Sequence, residues 1–538
     1  VSAPPETRRQ LSGLPGAGQW VPFLFAGVFF LLALAARLWR IDAQSVWLDE
    51  FFSYNYLGAP SLYECIARQR PENWEMVPFY YMVQYYWAQW RPGSIVWVRL
   101  LSVLPSAVGV AAASFLAWRH LGSVSGWVTG CWLALSPFQV FYGQGIRPYA
   151  WLPLMGLLSW TALCRWQRQG GHQWLASSFL LNAVMAWTHL LTPLMFAAQA
   201  LWLWGIRRFR VDRTLIGWAL IHGLILLTLI PWVMTIRPAP DPAGMSPPPF
   251  GPFLGILLDN GLDATESFLG RFLFQDNEPV RWAVGIPPKF ALEEAGGWAG
   301  VMSAARQPVQ LALARLILLG LGLAGVAVFF RRRTGTPADT ASAETFDIWK
   351  CWLTAALVPV VLLYLAALCW KPHVFQVRYL FFAAVFLPGV IAGGITRIAP
   401  RAAGIYGLST VILLTALYAG YHAVPVRQNY LGVARMLHAP AFQDLSVITP
   451  DWNLARVLLC NDRTLTPRVI RPLPDQFKPA VDSAINSRKP FVMLFEGNLS
   501  DSLRREIEYE LIQRETLFRR IIFSGMQNLY FYYVTTQD

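Results

Sequence analysis

The stretch WVPFLFAGVFFLLALAARLWRIDAQSVWLDEFFSYNYLG, residues 20–58, decides the class of fold. Its first half, 20–38, is apolar apart from Arg37. A helix of about 20 mostly apolar residues is what the hydrocarbon core of a bilayer requires. The text that follows, RLWRID, is not a small-residue cleavage site, so the run reads as a retained first span and not as a signal peptide. The second half then places two adjacent carboxylates, Asp49 and Glu50, among Trp47, Leu48, Phe51, Phe52 and Tyr54, a few residues beyond the span.

Working outward, the same composition recurs. Of 538 residues, 55% are hydrophobic, 14% aromatic and only 14% charged. Mean hydropathy is +0.39. These values exclude a disordered chain and an ordinary soluble enzyme, in which about 25% of residues are charged. Further apolar runs occur near 97–118, 123–142, 149–165, 174–189, 190–205, 215–235, 309–330, 351–370, 378–396 and 403–421. The expected fold is an all-α polytopic membrane protein with about eleven transmembrane helices, or up to thirteen on a wider count. The run 174–205 is expected to be a tight hairpin of two short spans. The aromatic stretch FYYMVQYYWAQW, 79–90, reads as an interfacial helix, because Gln84 and Gln89 interrupt it.

Net charge is +13, from 44 Lys and Arg against 31 Asp and Glu. With eleven spans, the basic residues of the short loops all fall on one side: Arg8 and Arg9, Arg119, Arg165 and Arg168, Arg207 to Arg213, Arg331 to Arg333 with Lys350, and Arg397 and Arg401. The positive-inside rule makes that side cytoplasmic. The charge is thus topological, and nucleic acid is not an expected partner. The six cysteines show no CxxC spacing, so neither a disulfide framework nor a zinc site is read.

The expected organisation is a cytoplasmic segment 1–19, a transmembrane domain 20–421 with external loops 39–96 and 236–308, and an extracytoplasmic α/β domain 422–538. The loop 236–308 opens with the Pro-rich RPAPDPAGMSPPPFGP and is longer than an idle connection tends to be. The tail mixes strand-like runs at 445–450, 457–460, 491–495 and 531–535 with a charged helical run at 501–517. No glycine-rich phosphate loop lies beside any of these strands.

Four places on the external side carry reactive groups. The pair Asp49–Glu50 is expensive at a membrane face unless solvated, paired or metal-bound. It reads as a general base or as ligands for a divalent cation such as Mg or Mn. The plainer reading is an acidic pair on a helix N-terminal dipole. Arg147, in YGQGIRPYA, suits a phosphate or a lipid headgroup. His189, in WTHL, falls at the hairpin turn, where a lone histidine is more often structural. Lys371, His373 and Arg378 cluster in CWKPHVFQVRYL, an unusual concentration of cations for this side, and read as an anion site or as headgroup anchors. Glu266, Asp276 and Glu278 in the long loop are secondary acids. Together these groups suit an acidic lipid substrate approached from the bilayer.

At this point WLDEFFSY resembles the acidic loop that follows the first span in GT-C glycosyltransferases of the protein O-mannosyltransferase and aminoarabinose-transferase type. VPFYY (77–81), VRLLSVLPSAVGV (98–110), YGQGIRPYA (142–150), WTHL (187–190) and VRYLFFAAVFLPG (377–389) resemble further elements of that superfamily, in the same order over residues 20–420. Met76-Val77-Pro78 stands where relatives often carry His-Pro-Pro, with Glu75 beside it. The resemblance implies a GT-C fold and inverting transfer of a sugar from a polyprenyl-phosphate donor to a protein, lipid or glycan acceptor. It implies Asp49 as general base and Glu50 as its positioning partner or a metal ligand. Arg147, His189, Lys371 and Arg378, with His373 weaker, are implied to hold the leaving phosphate. The expected location is a bacterial inner membrane with the site facing the periplasm or exterior. Competing classes are a transporter or flippase of a lipid-linked sugar, a polysaccharide polymerase or ligase, and a non-catalytic scaffold. Charges at span ends, and not at mid-membrane, weigh against the transporter.

Overall fold

The computed structural model describes residues 20–70, 77–234, 340–369 and 384–535, apart from 399, 424–426, 428, 451, 473–475, 497–500, 515 and 524–528. The external loop 236–308, the apolar run 309–330 and the cluster at 371–378 therefore lie outside the described residues, as do Glu75 and Met76.

The membrane part is helical. It runs α1 (Val21–Leu38), α2 (Leu48–Tyr54), α3 (Leu62–Gln69), α4 (Pro78–Gln89), α5 (Ile95–Leu121), α6 (Ser123–Leu135), α7 (Pro137–Gly143), α8 (Trp151–Gln169), α9 (His172–Ala186), α10 (Pro193–Ile206), α11 (Arg213–Val233), α12 (Thr340–Cys369), α13 (Leu387–Ile398) and α14 (Pro400–Ala423). Among the described residues, four helical stretches are long and apolar enough to cross a membrane: Val21–Leu38, Ile95–Leu121, Arg213–Val233 and Asp347–Ala366. The protein is an integral membrane protein. Other expected spans are shorter. The hairpin α9–α10 forms as read, but its arms of 15 and 14 residues reach only about 22 Å, short of a 30 Å hydrocarbon core. The single span expected at 123–142 is broken at Ser136–Pro137, because proline cannot donate to the preceding turn and pushes Ser136 to ψ 127°.

Direction follows from the helix ends. Arg165 lies over Trp174, and Arg207 donates to Gln167, so the α8–α9 and α10–α11 turns share one end. Arg119 stands at the end of α5, beside the start of α1, where Phe25 meets Trp118. Phe115 and Leu116 of α5 in turn line one cavity with Arg165 and Trp174, so among the described residues the basic turns after α5, α8 and α10 gather at one end of the bundle. The opposite end collects residues 39–50, 144–149 and 187–192.

Two polar features bind the bundle. Arg37, fully buried near the end of α1, donates to Ser106 Oγ at 2.6 Å and to the carbonyls of Leu133 and Ala134 at the end of α6. An arginine in a span is sustained only when every donor finds a partner, and the negative end of a helix dipole supplies one. Asn182 accepts from Ser159 and donates to Gln199, while its amide nitrogen lies 2.7 Å from His222 Nε2, tying α8, α9, α10 and α11 together.

The tail is the expected small α/β unit. After α15 (Tyr430–Leu437) come β1 (Val447–Ile448), α16 (Trp452–Asn461), β2 (Val469–Ile470), α17 (Phe477–Asn486), β3 (Phe491–Glu496), α18 (Asp501–Gln513), β4 (Leu517–Phe523) and β5 (Leu529–Thr535). Strand order is β2-β1-β3-β5-β4, with the first three parallel and β5 antiparallel to both neighbours. Every residue of β3 is buried. Its side chains alternate: Val492 and Leu494 face a core shared with Val46 and Phe51, whereas Phe491, Met493 and Phe495 face α17 and α18. The run 457–460, expected as strand, is the last part of α16. Its burial at Leu454, Ala455, Val457 and Leu458 follows a helical repeat, which four apolar residues alone could not distinguish from a strand.

Candidate active site

The acidic pair occupies the first turn of α2, a seven-residue helix whose N-cap Trp47 offers no side-chain cap. The dipole reading is therefore satisfied locally. The two carboxylates nonetheless face different surroundings, because successive helix positions diverge by about 100°.

Glu50 is completely buried. Its Oε1 accepts from Arg99 Nε at 3.1 Å and from the Ile146 amide at 2.9 Å. Its Oε2 accepts from Arg99 Nη2 at 2.9 Å and from Arg427 Nη1 at 2.6 Å. A carboxylate offers about four lone-pair directions, and all four are engaged. Arg99 also donates to the carbonyls of Ile41, Gln44 and Ser45, and Arg427 Nη2 donates to that of Phe141. Burial works to raise the Glu50 carboxyl. The charges of Arg427 and Arg99, with the hydrogen bonds from Arg99 and the Ile146 amide, outweigh it and hold the group below the usual carboxylate range. In this geometry each Glu50 lone-pair direction is taken by a protein donor.

Asp49 is 14% exposed, and its Oδ2 lies 3.5 Å from Arg147 Nη2. Arg147 is held in extended backbone between α7 and the 3-10 turn Pro148–Ala150. Its carbonyl accepts from Ser102, and its Nη1 donates to Ser53 Oγ at 3.2 Å and reaches Tyr81 Oη at 3.5 Å. The guanidinium sits 5.8 Å from the Tyr149 ring centre, and Tyr149 lies 6.0 Å from the His189 ring. His189 is buried, and its Nδ1 accepts from the Leu191 amide at 3.1 Å, which leaves the ring proton for Nε2 in the neutral form. Asp49, Arg147 and His189, read separately from the sequence, therefore form one continuous row.

The stretch 142–150 builds this row. Gln144 donates to the carbonyls of Arg37 and Trp39, and Ile146 to Glu50. Gly143 admits the close pass, since a Cβ there would stand 2.7 Å from Arg37 Nε. The Phe79 amide donates to Trp187, bringing α4 against the hairpin turn.

Lys371, His373 and Arg378 lie outside the described residues, as do Glu266, Asp276 and Glu278. Sequence reasoning missed Arg427, Ser53, Tyr81 and Tyr149 as parts of the site. Arg99 appeared only inside a motif, without a partner. A signal for Arg427 existed: it is a basic residue a few positions past the last apolar run, 403–421.

No protein-family model matches the chain, and no curated protein matches it. Among solved structures, the chain is similar to ArnT from Cupriavidus metallidurans in the apo state, at 13% identity and a TM-score of 0.38, with 96% of this chain and 98% of that one covered. It is similar to the same protein bound to undecaprenyl phosphate at 14% identity and a TM-score of 0.37, over the same shares of each chain. At this degree of superposition the likeness assigns no residue a role.

Proposed function

We propose that the protein is a membrane glycosyltransferase that moves a sugar from a polyprenyl-phosphate donor to an acceptor hydroxyl at the end of the bundle opposite the basic loops. The observation that carries the reading is the division of labour within Asp49–Glu50. One carboxylate is sealed by two arginines, while its neighbour is partly open and stands beside a buried arginine.

Asp49 accepts the acceptor's proton as its oxygen forms a bond to the anomeric carbon. The bond from that carbon to the phosphate oxygen breaks, and polyprenyl phosphate departs with the electron pair. Attack opposite the leaving group inverts the anomeric centre. Charge grows on the departing phosphate, and Arg147 supplies a fixed cation where water is scarce. His189, donating through Nε2, stands next along the row. Lys371, Arg378 and His373 are assigned to the same phosphate on the resemblance of their segment. A phosphate leaves without an acid to protonate it, so one carboxylate suffices. Glu50 is a positioning residue: it holds α2 so that Asp49 faces Arg147. The acceptor is a protein, lipid or glycan, and the compartment is the periplasm or exterior of a bacterial inner membrane.

The test is sugar transfer in reconstituted membranes from a panel of radiolabelled polyprenyl-phosphate sugars. Wild type should turn over one donor, and Asp49→Asn should lose about 100- to 10,000-fold. A folded Asp49→Asn chain with undiminished transfer would remove Asp49 as base.

A further inference from the structure

A separate cavity of about 570 Å³ opens between the first external loop and the tail unit. It lies on the other face of α2, lined by Phe51 and Tyr54, and none of its lining residues belongs to the Asp49–Arg147 row. From the membrane side Asn55 and Gln89 reach it; from the tail unit come Arg456, Arg463 and Arg471. The volume falls within the range of small-molecule sites, about 300–1,000 Å³.

The lining charge is one-sided. It contains three arginines and no Asp or Glu. Arg456 is braced from below, with its guanidinium 4.9 Å from the Phe51 ring centre and a hydrogen bond to Tyr56 Oη at 3.0 Å. Arg471 rests on Trp452 at 5.2 Å. Among the described residues, neither Arg463 nor Arg471 forms a salt bridge. Cys460, also in the wall, adds no compensating negative charge, since burial pushes its thiol up to about 11. Like charges gathered around a concavity repel one another, and an anion placed between them removes that cost. Arginine forks suit phosphate oxygens in pairs, and a dianion matches three cations better than a single carboxylate does. Tyr54, Asn55 and Gln89 offer a ring face and amides to a polar body attached to that phosphate.

We infer that this cavity is a binding site for a phosphate-bearing ligand, of the size of a sugar phosphate or a lipid headgroup. The inference does not depend on the transferase reading, because it concerns a different cavity and is read by binding alone.

Two probes, inorganic pyrophosphate and short-chain phosphatidic acid, would be titrated calorimetrically into the detergent-purified full chain. At least one should bind wild type. The double variant Arg463→Gln, Arg471→Gln should weaken that binding about tenfold or more, as expected for lost charge-assisted bonds. The charge-keeping pair Arg463→Lys, Arg471→Lys should retain most of it, and Asp49→Asn should bind as wild type does. Both arginines are exposed, so the variants should keep the wild-type melting temperature. Binding of pyrophosphate identifies a soluble source, and binding of phosphatidic acid alone a lipid one. Absence of binding by both probes, or equal affinity in the glutamine double variant, overturns the site.

Discussion

Two neighbouring residues of like chemistry, Asp49 and Glu50, meet different surroundings: Glu50 is sealed by two arginines, and Asp49 is partly open beside Arg147. Removing Glu50 strands Arg99 and Arg427, each nearly or wholly buried. Breaking a buried pair costs about 3–5 kcal/mol. Glu50→Gln should therefore lower the melting temperature markedly in detergent, with activity falling alongside it. Asp49→Asn should melt near wild type. The pH dependence has a definite sign. The folded Glu50 carboxyl lies below its unfolded value, so its contribution is complete above the ordinary carboxylate range and is lost as pH falls through the folded value. Wild type should lose thermal stability in that acid window, and Glu50→Gln should show a flatter profile. The sequence made the acidic pair conspicuous but could not say which member was the open one. That distinction depends on Arg99 and Arg427, which lie 49 and 377 positions away in the chain.

At the level of elements, the helices were legible wherever apolar runs were long or prolines punctuated them, as at α1, α5 and the α9–α10 hairpin. The aromatic stretch read as a helix became α4, with Tyr80, Tyr81, Gln84 and Ala88 on its buried face. Short apolar runs misled, as at α16, and β2 and β4 went unread because Val469–Ile470 is too brief and Leu517–Phe523 sets Arg519 and Arg520 side by side, which breaks the period of two. Helix packing depends on small residues that composition alone does not reveal. A Cβ at Gly130 would stand 2.5 Å from the Phe29 ring, and one at Gly389 would stand 2.4 Å from Trp352. Gly130→Ala and Gly389→Ala should each destabilise by about 1–3 kcal/mol, because a packed ring has nowhere to move. Thermal melts of the two variants check this.

For the whole molecule, the bundle has a basic end and a site end, and the tail unit caps the latter. An introduced Gln476→Cys should be labelled by an impermeant maleimide added outside intact cells, whereas Arg210→Cys should be labelled only after permeabilisation. The reverse pattern would invert the topology. The cap is not an appendage. Val46 and Asn461 exchange two hydrogen bonds, at 2.9 and 3.0 Å, and Val46 and Phe51 belong to the tail unit's own core. This has a consequence for biosynthesis. Residues 46–50 are made early, but the partners that seal them, Arg427 and Asn461, follow α14 in the chain. Until then Glu50 has one arginine where it needs two, and Phe51 has no core to enter. The surroundings of Glu50 are therefore complete only once the stretch after α14 is present, and a product truncated before Arg427 should leave Glu50 half-paired and melt at a lower temperature than the full chain.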